Sequence, residues 1–220
     1  MKKRTFVLLV AACAAVPTAV AAQSVGVGGR IGTLGLGGEA ALSLTDRLVI
    51  RGGLGLTPSK LEPSATFDDL EVDLILPNWY NVGLDLYLNG AIRLGGGVLF
   101  KADDPTLVGE FTSPQDIGGT TYTPEQIGKL EGVIDSSDRV PYVLLGFGKH
   151  TAPGIGLFLD LGVAFLGDPQ VRLDASGGTI SDDPSTQDAL DREADNFEAD
   201  MRTYLEFWPI VSAGLRIGLG

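Results

Sequence analysis

The sequence predicts an all-β protein, namely an eight-stranded antiparallel up-and-down transmembrane β-barrel with one acidic amphipathic helix in its last long loop. Three observations lead to this prediction. Segments in which apolar residues alternate with small or polar ones recur along the chain, a period of two that is typical of strands with two different faces. Short and long connections alternate between these segments, as in outer-membrane barrels. An N-terminal export signal precedes them.

The export signal occupies residues 1–22. A positive start at 1–4 is followed by an apolar stretch at 5–16 and by the small residues Val20-Ala21-Ala22. This order is typical of a secretory signal peptide that is removed. We therefore predict a barrel domain over 23–220 in the outer membrane of a Gram-negative cell. An alternative is a lipobox that ends at Cys13, but the residues after Cys13 are apolar where a lipoprotein usually has a polar tether.

Composition excludes several classes of function. The 220-residue chain carries a formal net charge of −12, which argues against a nucleic-acid partner because phosphate neutralisation needs clustered basic residues. A single Cys and a single His exclude a disulfide framework and a Cys/His metal finger. The His, His150, falls in a predicted short turn, so it is not placed for a Ser-His-Asp site at the opposite rim. We expect no enzyme activity, no cofactor and no metal site.

Turn chemistry orders the strands. The segments at 45–47, at Asn89-Gly90 and at 149–154 are short connections, and Asn-Gly favours a type I′ hairpin turn. The segments 58–68, 103–128 and 175–204 are long polar connections. The predicted strands are 24–32, 34–44, 48–57, 69–88, 90–102, 130–148, 154–174 and 206–219.

The composition of the two strand faces indicates which one meets lipid. A soluble lipocalin-like barrel would also alternate, with its apolar face inward. Here the other face consists mostly of Gly, Ala and Ser, and most strands carry a single charge on it. Such a face is too bare for an exterior in water and suits a narrow interior, whereas the continuous Leu, Val, Ile and Phe of the opposite face suit hydrocarbon.

The charges on the inward face form the candidate site. Their signs alternate from strand to strand, so opposite charges on adjacent strands, about 4.8 Å apart, can pair directly. Four of the arginines have Gly two residues later, which would leave room for a guanidinium. We predict a packed polar plug rather than an open pore, with a proton or ion path as the alternative. The predicted lumenal charges are Arg30, Glu39, Arg51, Asp85, Arg93, Asp160 and Arg216, and Tyr142 stands on the remaining strand.

A helix is predicted over about 184–205. Asp183 supplies an N-cap and Pro184 the first helical position. We interpret the helix as an outer lid whose apolar stripe packs on the barrel rim, or as a surface for a basic partner or for divalent cations shared with lipopolysaccharide phosphates. The stripe comprises Leu190, Ala194, Phe197, Met201, Tyr204 and Leu205, and the acidic face comprises Asp188, Asp191, Glu193, Asp195, Glu198 and Asp200.

Three stretches, at 32–39 (GTLGLGGE), 159–169 (LDLGVAFLGDP) and 207–212 (FWPIVS), resemble small outer-membrane β-barrel proteins of the OmpA-like and OmpW-like type. The resemblance implies an integral outer-membrane protein with a structural, interaction or minor permeation role. One departure is that such chains usually end in Phe or Trp, whereas this sequence ends in Leu219-Gly220.

The resulting functional hypothesis is a structural or interaction protein of the cell surface. We expect it to be a monomer, surrounded by outer-membrane lipid and lipopolysaccharide and inserted by the barrel-assembly machinery. The alternative hypothesis is a narrow conduit for small hydrophobic solutes or ions across the outer membrane.

Overall fold

The structure is a computed structural model that describes residues 24–57, 64–67 and 70–219. The predicted signal peptide, with Cys13, lies outside the described residues, as does Gly220. The strands are β1 (Val25–Gly32), β2 (Leu36–Ser43), β3 (Leu48–Leu56), β4 (Ser64–Phe67), β5 (Leu70–Ile75), β6 (Trp79–Asn89), β7 (Ile92–Lys101), β8 (Thr106–Phe111), β9 (Gln115–Ile117), β10 (Thr120–Tyr122), β11 (Gly128–Asp135), β12 (Arg139–Phe147), β13 (Gly154–Phe165), β14 (Gln170–Gly177) and β15 (Phe207–Leu219). The helices are α1 (Pro124–Ile127) and α2 (Pro184–Leu205).

Eight strands close into an antiparallel barrel in the order β1-β15-β13-β12-β7-β6-β3-β2, which confirms the predicted fold class. The short first strand completes the ring because it pairs on both sides. Val25 lies opposite Leu42 of β2 and opposite Leu219 of β15. Closure leaves no free edge in the barrel, so every strand has two hydrogen-bonded neighbours.

Three of the predicted strands are longer than the strands in the structure. The segments 69–88, 130–148 and 154–174 are each broken, and their distal halves belong to a second sheet. Pro77 interrupts the first and Pro169 the third, since proline has no amide hydrogen to donate to a ladder. At the break between β11 and β12, the buried Lys101 Nζ donates to the Ser136 hydroxyl at 2.8 Å and to the Ser136 carbonyl at 3.0 Å.

The second sheet has the order β14-β11-β8-β5-β4 and forms, with β9, β10, α1 and α2, a unit that we call the head. The head lies at the long-loop end of the barrel, opposite the short-turn end. Across four strands of the sheet, Leu74, Leu107, Gly132 and Leu173 are register partners on one face. Helix α2 and the β9–β10 hairpin supply the other side of a small apolar core. Its buried members are Ile117, Tyr122, Ile127, Ala175, Ala189 and Leu190.

The outward face of the barrel is apolar on every strand. Large hydrophobic side chains alternate with the inward positions and stay exposed, as predicted for the face that meets lipid. Exposed examples, one from each barrel strand, are Val27, Leu36, Ile50, Leu84, Leu94, Val143, Leu157 and Leu215.

Helix α2 begins and ends close to its predicted bounds, but its predicted apolar stripe is only half buried. The Asp183 carboxylate accepts a hydrogen bond from the Ser185 amide at 2.9 Å and caps the helix. Leu190 and Ala194 are buried in the head, whereas Phe197, Met201 and Tyr204 are exposed. The prediction that the stripe packs on the barrel rim was wrong, because the N-terminal half of the helix packs on β14 of the head and the rest extends past that surface.

Candidate functional site

The structure places all seven predicted lumenal charges inside the barrel. Each is at most 8% exposed, although the strands that carry them cover the whole circumference. Tyr142 lies among them and is also buried. Strand alternation explains this placement, since every one of these residues has the parity opposite to the outward-facing Leu, Val and Ile of its strand.

Two arginines hold the three carboxylates together. Arg51 lies 2.6 Å from Asp160, 3.3 Å from Asp85 and 3.4 Å from Glu39. Arg93 contacts Asp160 and lies 3.5 Å from Asp85. We call these five residues, which come from five strands, the central network. Buried carboxylates that share guanidinium groups avoid the large cost of an isolated buried charge.

His150 joins this network, although it was not among the predicted lumenal residues. The chain after β12 folds back into the short-turn end of the lumen, where the imidazole is 2% exposed. Its Nε2 lies 2.5 Å from Glu39 Oε1, and Arg93 Nε donates to its Nδ1 at 3.2 Å. Arg93 Nη2 also lies 3.4 Å from Nε2, so the imidazole packs between the Arg93 guanidinium and the Glu39 carboxylate. The Tyr87 hydroxyl accepts from the His150 amide at 2.9 Å.

A signal for His150 existed in the sequence. Tyr142, Leu144 and Gly146 of β12 point into the lumen, and His150 has the same parity. Continuing the alternation through the turn would have placed its side chain inward. The prediction failed because a short connection was assumed to lie outside the barrel.

The other two arginines lie outside the central network. Arg216, at the short-turn end, donates to the carbonyl of Gly154 at 3.1 Å and to that of Ala152. Arg30 forms no ion pair within the part of the chain that the structure describes, and its Nε and Nη2 are buried there without a hydrogen-bond acceptor. The sequence therefore placed seven charges in the lumen, but the structure joins only five of them directly.

Glycines on neighbouring strands leave the space for two of the guanidinium groups. A side chain at Gly146 would collide with Arg93, and one at Gly156 would collide with Arg216. The glycine two residues after each arginine is less important, since Asp85 and Leu144 are the nearest neighbours of a side chain at Gly95. Every lumenal arginine has a cross-strand glycine partner. The pairs are Arg30 with Gly37 and Gly214, Arg51 with Gly83, Arg93 with Gly146, and Arg216 with Gly28 and Gly156.

An apolar layer covers the network at the long-loop end. Trp79 and Trp208 pack with ring centroids 5.6 Å apart, and the Trp208 indole donates to the Thr33 carbonyl at 3.3 Å. Beneath this layer, beside Arg30, lies a small cavity of about 10 Å³. Its volume is roughly enough for one water molecule. The buried members of the layer are Leu34, Trp79, Leu99, Val140, Tyr142, Leu144, Ala164, Leu166 and Ile210.

Metal-binding clusters and membrane-spanning helices are both absent from the described residues. No cluster of three or more His, Cys, Asp and Glu residues is arranged to hold a metal ion in this part of the chain. Among the same residues, no helix combines the length and the apolar character needed to cross a membrane.

Comparison with known proteins identifies similar folds. No protein-family model matches the chain, and no curated protein sequence matches it. The crystal structure of Acinetobacter baumannii CarO superimposes with a TM-score of 0.56 at 18% identity, over 87% of this chain and 96% of that chain. The crystal structure of Acinetobacter baumannii CarO2 gives a TM-score of 0.57 at 17% identity, over 89% of this chain and 98% of that chain. At these identities the similarity shows a shared fold.

Proposed function

We propose that this chain is an integral outer-membrane protein. Its closed barrel anchors the head at the cell surface, and the head provides a surface for binding a partner. The observation that carries the proposal is the filled lumen. The central network occupies its middle, His150 its short-turn end and the apolar layer its long-loop end. An eight-stranded barrel is just wide enough for its own side chains, so its interior stabilises the anchor.

The membrane assignment rests on the outward face of the barrel. Exposed Leu, Ile, Val and Phe side chains surround it on all eight strands. Apolar patches beyond a few hundred Å² are rare on soluble monomers. We expect the mature protein to fractionate with the outer membrane and to migrate differently in detergent gels before and after heating. Recovery as a soluble periplasmic monomer would contradict the assignment.

The orientation rests on the connections. Outer-membrane barrels place short turns in the periplasm and longer segments outside. By this rule the turns after β2, β6 and β12 are periplasmic, and the head stands outside the cell. Protease added to intact cells should reach the head, whereas a site introduced next to Lys149 should be cut only after the outer membrane is opened. The reverse pattern would invert the topology.

The alternative function, a narrow conduit for ions or small hydrophobic solutes, requires the network to move. We expect purified protein in a planar bilayer to give no steady conductance steps, with a general porin in the same bilayer as the positive control. The wild-type protein could instead give steady conductance steps that are absent when its insertion into the bilayer is blocked. That result would favour the conduit and contradict the proposal that the barrel is a closed anchor.

The head has a feature that suits a basic partner. On its exposed polar face, Glu131 of β11 lies directly opposite Asp174 of β14. Like charges in this arrangement destabilise a sheet, so their presence suggests a role other than stability. The acidic residues of α2 lie on the other side of the sheet, because the helix packs on the face that carries Leu173 and Ala175.

A polylysine peptide is a suitable probe for such a partner. The variant Glu131→Gln/Asp174→Asn should bind the peptide more weakly on intact cells, although its head should be slightly more stable. The exposed pair Asp103→Asn/Asp138→Asn, near the base of the head, is the charge-matched control. Equal loss of binding in both variants would indicate a general charge effect and would count against a defined surface.

A further inference from the structure

The outward face of the barrel is not uniform. An open groove of about 730 Å³ crosses β2, β1, β15, β13 and β12 on this face. Its floor lies at Gly29 and Ala213. Phe147 and Gly148 close one end, and Leu36 closes the other.

Strand register explains the groove. Gly29 lies opposite Leu215, which lies opposite Leu157, so these residues form one row across three strands. The adjacent row contains Ile31, Ala213, Leu159 and Phe147 in the same manner. A small residue interrupts each row.

Two of the side chains that border the interruptions are largely exposed. Leu157 is 73% exposed and Leu215 is 59% exposed, whereas Leu159, which also lines the groove, is 38% exposed. They form the walls of the groove, and the missing side chains of Gly29 and Ala213 form its floor.

We infer that this groove binds one acyl chain of a phospholipid from the periplasmic leaflet, with the phosphate of its headgroup at Lys149. The inference rests on the proposed membrane location. The groove opens sideways onto the face that meets hydrocarbon, and side chains of Leu, Ile, Phe and Ala line it, so its occupant is apolar. Gly148 lines its short-turn end, and the next residue, Lys149, is exposed there. An ammonium group at that end suits an anionic headgroup.

The structure offers a matched pair of variants to test this site. Gly29 and Gly52 both face outward on neighbouring parts of the barrel, but Gly52 does not line the groove. A Cβ at Gly29 would approach Gly37 O no closer than 3.8 Å, and one at Gly52 would approach Asn81 O no closer than 3.5 Å. Both positions therefore accept a larger outward side chain, and Gly29→Leu fills the groove whereas Gly52→Leu does not.

The experiment measures lipid that remains bound after extraction. Wild-type protein and the Gly29→Leu and Gly52→Leu variants are extracted from outer membranes in a mild detergent and analysed by native mass spectrometry. We expect one retained phospholipid per barrel in wild type and in Gly52→Leu. Retention should fall about tenfold in Gly29→Leu, the factor that corresponds to losing the burial of roughly two methylene groups. Ala213→Leu provides the same test if Gly29→Leu does not fold.

A second measurement tests the headgroup position. After reconstitution into vesicles of equal parts phosphatidylglycerol and phosphatidylethanolamine, wild type and Lys149→Arg should retain more of the anionic lipid. Lys149→Gln should retain the two lipids equally. The same preference in all three proteins would remove Lys149 from the site.

Other outcomes would overturn the inference. Equal lipid retention in Gly29→Leu and Gly52→Leu would show that the groove binds no lipid. A dimer mass in wild type that is lost only in Gly29→Leu would assign the groove to a second copy of the chain. Failure of the proposed function would be distinguishable, since the protein would then not fractionate with the outer membrane at all.

Discussion

Arg93 and Gly146 face each other across β7 and β12, and the guanidinium occupies the space that a Cβ on Gly146 would fill. Neither partner has room to adjust. Arg93 is fully buried, contacts Asp160 and donates to His150. The same relationship recurs between Arg216 and Gly156, so at these two positions a cross-strand glycine leaves the space in which a charged side chain packs.

Gly146→Ala should therefore destabilise the barrel by about 1–3 kcal/mol, the usual cost of overpacking a filled interior. Gly96→Ala is the control, since Gly96 faces outward and a Cβ there would lie 3.4 Å from the nearest atom. Urea unfolding in detergent micelles measures both. Equal stability of the two variants would mean that the Arg93 side chain has an alternative position.

Asp160 should show strong coupling to its arginine partners. Asp160→Asn removes one of the carboxylates that Arg51 and Arg93 share. The free energy of unfolding should fall by about 3–5 kcal/mol, because the two guanidinium groups stay buried with less compensating charge. The double variant Asp160→Asn/Arg51→Gln should cost less than the sum of the single changes, by about 1–3 kcal/mol.

The control for this cycle is an exposed pair in the head. Arg172 and Asp135 lie 3.2 Å apart, but both side chains are about half exposed or more. Their coupling should stay below about 1 kcal/mol. Simple additivity at Asp160 and Arg51 would show that the network contributes no pairwise stabilisation.

His150 should matter for stability despite its position in a short turn. His150→Ala removes the imidazole that lies against Glu39 Oε1 and leaves a buried carboxylate with fewer polar neighbours, at a cost of about 2–3 kcal/mol. Lys149→Ala, one residue earlier and exposed, should change stability by less than about 0.5 kcal/mol. The same unfolding assay compares them, and equal effects would place His150 outside the network in solution.

Period-two alternation predicted the barrel because it records the environment of each face separately. The Leu, Val and Ile of β13 alternate with Gly156, Asp160 and Gly162, and this pattern holds whichever strands become neighbours. The number of barrel strands and the inward parity of the seven charges were therefore predictable from the sequence, whereas the helix at 184–205 was predicted from its N-cap Asp183 and from Pro184.

Other features depend on relationships that alternation does not record. The breaks at Pro77 and Pro169 lie inside segments that alternate on both sides, so each segment looked like one long strand. The contact between His150 and Glu39 joins residues on opposite parts of the barrel, and only the closed ring brings them together. The cross-strand pairing of Arg93 with Gly146 depends on the register between β7 and β12. Hydrophobic alternation does not determine this register, because a shift by two residues leaves every side chain on the same face.

The helix cap should respond to pH in a defined direction. Hydrogen bonds from the Ser185 hydroxyl and amide lower the pKa of Asp183. A lowered pKa in the folded state means that the carboxylate stabilises the first turn above its ordinary pKa of about 4, and that this contribution is lost as the pH falls through the lowered value. Asn caps as well as Asp but does not titrate in this range. Amide-exchange protection of Thr186 should therefore fall in acid in wild type and stay constant in Asp183→Asn.

The two halves of the α2 stripe should respond differently to substitution. Leu190 is fully buried in the head core, so Leu190→Ser should detach the helix and expose it to protease. Phe197 is 39% exposed, and Phe197→Ser should change the cleavage rate little. The barrel should stay folded in both variants, because its strands close without the head, and heat-modifiable migration checks this. Protease added to intact cells measures the difference. Rapid cleavage of Phe197→Ser with a resistant Leu190→Ser would mean that the helix packs through its C-terminal half, contrary to the structure.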